Sequence, residues 1–124
     1  MPTERTRELG RRGEELAAQH FVRLGYRVLA RNHRTRWGEL DLVLADEADH
    51  TIVFCEVKSR RLGGGDWREN LHEHKRHQVR KMAAAWLSKV TDRPHHAELR
   101  FDAVGVTLDA HNELVRLDHL QDAF

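Results

Sequence analysis

Cysteine, proline and aromatic side chains are scarce in this sequence: one, two and 6% of 124 residues. A single cysteine, Cys55, excludes an internal disulfide and suits a reducing cytoplasm. No apolar run approaches the roughly 20 residues that cross a bilayer as a helix. The opening Met1-Pro2-Thr3-Glu4-Arg5 has no apolar stretch resembling a signal peptide. A soluble, cytoplasmic protein with no membrane contact is expected. Net charge is missing too. The 21 Lys and Arg nearly cancel the 20 Asp and Glu, leaving a formal +1, so the bulk basic excess of many nucleic-acid-binding domains is absent. The length fits one domain, residues 1–124, with a small and largely aliphatic core.

Two short runs stand out against this background: Gly38-Glu39-Leu40-Asp41-Leu42-Val43 and Ile52-Val53-Phe54-Cys55-Glu56-Val57-Lys58. Each has the apolar content of a buried strand, yet each carries charges that burial tolerates only when they are paired or metal-bound. The polar segment Asp46–His50 between them has hairpin-loop length, which makes an antiparallel pair the natural reading. Alternation places Glu39, Asp41 and Val43 on one face, and Phe54, Glu56 and Lys58 on one face of the partner. With Asp41 opposite Glu56, Glu39 falls opposite Lys58 and four charges converge. Cross-strand neighbours at roughly 5 Å are close enough for two carboxylates to share one divalent cation. A one-residue slip would scatter them. The plainer alternative is a solvated E-x-K on an exposed sheet, but the apolar neighbours on both sides of Glu56 favour a strand covered on both faces.

The remaining pattern reads as helix, three strands, helix, two strands. Leu9, Gly13, Leu16, Ala17, His20, Phe21 and Leu24 recur at helical spacing, with Gly25 placed to stop the helix. Glu14 shares the packed face and Glu15 the wet one; read locally, Glu14 is equally a charge favouring a first helical turn. Tyr26–Arg31 is the first strand, joined by a basic loop to the second. Gly63-Gly64-Gly65 makes a bend that lacks the Lys-Ser/Thr ending of a P-loop. A second helix lies within residues 67–89, where Leu71, Lys75, Gln78, Met82 and Trp86 form one stripe. Arg100–Val106 and Leu114–Leu117 complete the sheet around an Asp109–Asn112 turn.

Basic residues cluster beside the acidic strands. Arg5, Arg7, Arg11 and Arg12 open the chain, Arg31, Arg34 and Arg36 precede Glu39, and Arg60 and Arg61 follow Lys58. Lys75, Arg76, Arg80 and Lys81 come later. They are either solvated surface charge or phosphate contacts on both sides of a scissile bond. Of the ten histidines, His72, His74, His77, His95 and His96 invite a zinc reading, but their spacing lacks a helical i, i+4 pair with a nearby cysteine, and surface histidine is the simpler account. Trp37 and Trp67 fall in loops near the acidic strands, where base stacking is one reading; Trp86 fits the core stripe.

The arrangement Asp41 then Glu56-Val57-Lys58 resembles the PD-(D/E)xK nucleases, which share the restriction-endonuclease-like fold. Gly10-Arg11-Arg12-Gly13-Glu14, Gly25-Tyr26, Gly38-Glu39-Leu40-Asp41-Leu42, Phe54–Arg60, Lys75, Arg100-Phe101-Asp102 and Ala123-Phe124 together resemble the YraN-like family within that superfamily, similar to archaeal Holliday junction resolvases. The resemblance implies an α/β domain with a mixed central sheet flanked by helices, in the order α-β-β-β-α-β-β. It also implies a Mg²⁺- or Mn²⁺-dependent endonuclease acting on DNA, favouring branched or structured substrates. Asp41, Glu56 and Glu14 are then the metal residues, with Lys58 orienting water or stabilising charge on the phosphate. Glu39, Lys75 and Gln78 are supporting residues, although Lys75 snorkelling to water and Gln78 at the stripe edge is the alternative. Arg34, Arg36, Arg60 and Arg61 are the phosphate-contact candidates. Arg100 and Asp102 match the family without a role that spacing reveals. Symmetric cutting of a junction would suit a homodimer. The rivals are a non-catalytic nucleic-acid-binding module with this architecture and a protein-binding scaffold, but converging carboxylates repel phosphate and serve neither.

Overall fold

The computed structural model describes residues 3–71 and 73–124, with backbone alone for 70 and 73–76. The elements are α1 (Glu4–Arg23), β1 (Arg27–Thr35), β2 (Gly38–Asp46), β3 (Thr51–Arg61), a 3₁₀ turn (Trp67–Asn70), α2 (Glu73–Lys89), β4 (Glu98–Leu108) and β5 (Leu114–Leu120). They form one mixed sheet in the order β1-β2-β3-β4-β5, with β3 and β4 parallel and the other pairs antiparallel. The parallel pair requires a crossover, and α2 supplies it. The element order is the one that the restriction-endonuclease-like resemblance implies. Among the described residues, no helix is long and apolar enough to cross a membrane.

The sheet is covered on both faces, which explains why β2 and β3 are apolar throughout. On one side, Leu16, Ala17, Ala18 and Phe21 of α1 pack on Leu42, Leu44, Val53, Cys55, Val104 and Val106. On the other, Val79, Met82, Ala83 and Trp86 of α2 pack on Leu40, Val43, Ile52, Phe54 and Phe101. Cys55 is buried as a small apolar residue, and burial raises its thiol pKa well above the usual value. The terminal Phe124 is buried in the α2 layer, where the Ala123 amide donates to the Phe101 carbonyl and Arg80 donates to the Phe124 carbonyl.

Several boundaries differ from the sequence reading. Helix α1 starts earlier than its apolar stripe because the Thr3 side chain caps it, accepting from the Thr6 amide. Glu14 therefore sits well inside the helix, so a first-turn role is excluded. The expected basic loop before β2 is mostly strand: β1 runs on to Thr35 and turns tightly into Gly38. The second helical segment is broken, with Trp67 in the 3₁₀ turn and α2 starting at Glu73. Trp67 is no loop residue near the site. It is 4% exposed, donates to Asp118, and packs where a Cβ on Gly105 would lie 2.2 Å from its ring. His72 and the side chains of His74 and Lys75 lie outside the described residues.

Candidate functional site

Asp41 lies where two strands part. Pairing between β2 and β3 runs from Asp46–Thr51 to Leu42–Cys55, a register that one step further would oppose Asp41 to Glu56. The ladder stops there, and the Val57 amide instead donates to Asp41 Oδ2 at 2.8 Å. A side-chain carboxylate thus takes up a strand amide beyond the last paired residue, which fixes its position by a backbone bond.

The break also changes which way β2 side chains point. Strict alternation would separate Leu40 from Val43, yet both pack in the α2 layer, while Leu42 faces α1. The expectation that Glu39, Asp41 and Val43 share a face is therefore corrected: Val43 belongs to the α2 layer, and Glu39 and Asp41 join Glu14 from α1. Carboxylate oxygens of Glu14, Glu39 and Asp41 all lie within 4.8 Å of one another. Across the other strand pair, Arg31 opposes Leu42 and His33 opposes Leu40, which leaves Asn32 against Asp41. Asn32 has φ of 50°, a left-handed conformation that Asn adopts more readily than other non-glycine residues.

Helix α1 reaches this break because it touches β3 closely. A Cβ on Gly13 would lie 1.7 Å from Ser59 Oγ, so only glycine permits the approach. Glu14 follows directly. It is half-buried, and Glu15 is exposed, accepting from Gln19 and Arg12. On β3, Cys55 and Val57 pack towards α1, so Glu56 and Lys58 issue from the other side of the strand, and the expected convergence of four charges on one face is corrected: Glu39 and Asp41 gather with Glu14, while Glu56 acts on Asp41 through its charge. Glu56 is buried, and Lys58 Nζ lies 3.5 Å from its carboxylate.

Electrostatics tie these groups together. Burial, then the charge of Glu56, pushes Asp41 up to about 8, opposed by the Val57 amide, with smaller contributions from Glu14 and Glu39. Glu56 is not a member of the 4.8 Å cluster, yet its charge acts on Asp41 more strongly than that of Glu14 or Glu39. Glu14 is also raised, by burial and then Glu39, while a hydrogen bond with Asn32 lowers it. Such repulsion is relieved by a cation. The donors are all carboxylate oxygens, the set that hard divalent ions take. Glu14, Glu39 and Asp41 are therefore the residues that could hold such an ion.

Two adjoining concavities of about 330 and 490 Å³ share Arg11, Glu14 and Asn32 and open beside this cluster. Arg31 lines the first, and Arg7, Arg34 and Glu39 line the second, so an acidic floor has a basic rim. The other expected basic residues lie elsewhere. Arg36 stacks over Trp37 at 4.6 Å, and Arg60 donates to Thr107 Oγ1. Arg61 is held by the β4–β5 turn, donating to the Asp109 carbonyl at 2.6 Å and to Asn112 Oδ1 at 2.5 Å. Gln78 is half-buried on α2. Asn32 had no place in the sequence reading, which put it in the basic loop after Arg31, and no signal in the sequence marked it.

Arg100 and Asp102 do not join the cluster. Asp102 is fully buried and accepts two bonds from Arg100 at 2.8 Å, one from His119 at 2.7 Å and one from the Asp122 amide at 3.2 Å. Arg100 also donates to the Tyr26 hydroxyl, and His119 bonds with His20 of α1. Burial alone would push Asp102 up, but the bonds from His119 and Arg100 outweigh it and hold it below the usual carboxylate value. This network joins β4, β5, the C-terminus and α1.

Comparison with known proteins agrees with this picture of a small, shared framework. The family model described as "Uncharacterised protein family UPF0102" matches residues 13–106. A UPF0102 protein of Mycolicibacterium smegmatis is 45% identical over 80% of this chain and 79% of its own length. One of Corynebacterium efficiens is 41% identical over 98% of this chain and 94% of its own, and one of Frankia alni 44% over 94% and 93%. The matched span contains Glu14, Asp41, Glu56, Lys58 and Asp102, and with identity sustained over whole chains the protein belongs to the UPF0102 family.

Proposed function

We propose that this protein is a Mg²⁺- or Mn²⁺-dependent endonuclease that hydrolyses phosphodiester bonds in DNA. The observation that carries the reading is Asp41 held by the Val57 amide at the β2–β3 break, its carboxyl raised by the nearby charges of the buried Glu56, which Lys58 pairs, and of Glu14. Metal-binding residues would be Asp41, Glu56 and Glu14, with Glu39 completing the acidic side. A divalent cation there supplies polarisation of the phosphate and a lowered pKa for attacking water. Lys58, anchored on Glu56, places a cation where charge develops on the phosphate oxygens. Arg11, Arg31 and Arg34 on the groove rim, with Arg36 and Arg60 further out, would neutralise flanking phosphates. Branched or structured DNA is favoured over a specific sequence by the family resemblance alone.

The test is a cleavage panel of linear, single-stranded, flapped and four-way DNA with Mg²⁺ or Mn²⁺, with Lys58→Ala purified identically. Cleavage should vanish in the variant while DNA affinity stays nearly unchanged, because one local charge is lost at the chemical centre. If the native protein binds DNA but cuts nothing, and Lys58→Ala behaves identically, the binding-module reading replaces this one.

A further inference from the structure

A third concavity, of about 230 Å³, opens at the tip of the β1–β2 hairpin on the α2 side. Trp37 forms its wall, Ala85 of α2 lines it, and His33, Arg34, Arg36 and Lys89 surround it without a single carboxylate among its lining residues. Trp37 is half-buried, packed against the α2 core. The tip is braced: the Trp37 amide donates to Thr35 Oγ1 at 3.1 Å, and that hydroxyl donates to the Gly38 carbonyl at 2.9 Å. The indole is thus a fixed platform, and the Arg36 guanidinium carbon lies 4.6 Å from its centroid, the place that an incoming base would take as Arg36 turns to the flanking phosphate.

We propose that this cavity takes one unpaired nucleobase, stacked on Trp37, from the nucleic-acid strand whose phosphates lie in the Glu14–Asp41 groove. The inference rests on the phosphodiesterase reading and narrows its substrate class. An aromatic face attracts any base, and surrounding cations attract the phosphates on either side of it. A cavity of 230 Å³ is smaller than the about 300–1,000 Å³ of sites for drug-sized ligands, so it suits one ring system rather than a folded segment. Arg34 lines both this cavity and the acidic groove, so the two adjoin at that side chain. From Trp37 to Asp41 along β2 is about 13 Å at roughly 3.3 Å per residue, or about four nucleotides at duplex rise and fewer in an extended strand. In continuous duplex both faces of each base are covered by neighbours. Gaps, flaps, bulges and junctions expose one, and these are the substrates that the pocket would select.

The experiment measures tryptophan fluorescence in EDTA, where no cleavage occurs. Trp67 and Trp86 are only 4% and 2% exposed, so Trp37 is the indole a ligand can reach. Short oligodeoxyuridylate, oligouridylate and blunt duplex DNA are titrated into the native protein, Trp37→Phe and Trp37→Ala. Single strands should quench the native protein, the better of the two identifying the sugar. Trp37→Phe should keep the affinity and lose the quenching, and Trp37→Ala should lose roughly 5- to 150-fold in single-strand affinity with duplex affinity unchanged. Quenching that persists in Trp37→Phe, equal weakening of duplex and single strand by Trp37→Ala, or equal quenching by a polyglutamate peptide would overturn the proposal. Trp37-dependent binding by a protein that cuts nothing with either metal would sink the nuclease reading alone, whereas cutting with Trp37 silent would sink this one alone.

Discussion

Replacing Asp41 with Asn should stabilise the metal-free protein at neutral and alkaline pH. The folded protein pushes Asp41 up to about 8 from 3.8, first through burial and then through Glu56. Between those values the unfolded chain has released a proton that the native protein retains, so stability falls as pH rises through this window and levels off above it. A shift of about 4 units corresponds to at most about 5–6 kcal/mol at about 1.4 kcal/mol per unit. The realised cost is smaller, because the repulsion is shared among several carboxylates rather than borne by Asp41 alone. About 1–3 kcal/mol is expected, or roughly 3–12 °C in melting temperature for a domain of this size. Asn retains an oxygen that accepts from the Val57 amide, so the substitution removes charge while keeping the bond.

The assay is thermal unfolding in EDTA from pH 4 to 9 for both proteins. The melting curves should nearly coincide at pH 4 and diverge up to about pH 8, with the variant more stable. Adding Mg²⁺ or Mn²⁺ should raise the native protein's melting temperature and do less for the variant. An Asp41→Asn protein that is less stable than the native one at pH 8 in EDTA would refute the argument, and equal metal shifts in both would place the ion elsewhere.

Three further substitutions test Asp102 and Asn32. Asp102→Ala strands Arg100 and His119 around a buried gap and should cost about 3–5 kcal/mol in chemical denaturation, while the metal-induced gain in melting temperature survives. The Asp102 carboxylate is held below its usual value of 3.8, so its contribution is full above about pH 4 and lost as pH falls through the lower folded value; Asp102→Asn should flatten the acid limb of stability, and an unchanged limb would contradict the network. Asn32→Gly keeps the left-handed backbone but removes the amide bonded to Glu14, and calorimetric titration should show Mn²⁺ binding weakened about fivefold at nearly unchanged stability; equal affinity would mean that Asn32 does not orient Glu14.

The acidic strands were legible because charge inside apolar runs is costly and needs a local reason. The register of β2 and β3 followed from the same residues, since a covered sheet tolerates few alignments of Leu42, Val43, Phe54 and Cys55. Alternation misled at Asp41, where a backbone break lets Leu40 and Val43 share a layer. Nothing in the composition of β2 marks that break. Its markers lie on the neighbouring strands, in the left-handed Asn32 and the amide of Val57, and become visible only when three strands are side by side.

The same limit separates residues that hold the fold from residues that hold a ligand. Arg61 and Arg34 look alike in sequence, each in a basic pair beside an acidic strand, but Arg61 is consumed by the β4–β5 turn, while Arg34 is highly exposed at the junction of two concavities and meets only a long 3.9 Å ion pair with Glu39 among the described residues. Trp67 and Trp37 divide likewise, one wedged on Gly105 and the other braced at a hairpin tip. Arg100 and Asp102 have the residue types of a catalytic pair and instead close a buried network across β4, β5 and α1. What assigns each side chain is whether another element of the fold has already satisfied its charge or covered its ring. By that criterion the carboxylates of Glu14 and Asp41 stand apart, because burial and neighbouring like charges raise both with no cation among the described residues acting on them, a tension that a bound cation would remove.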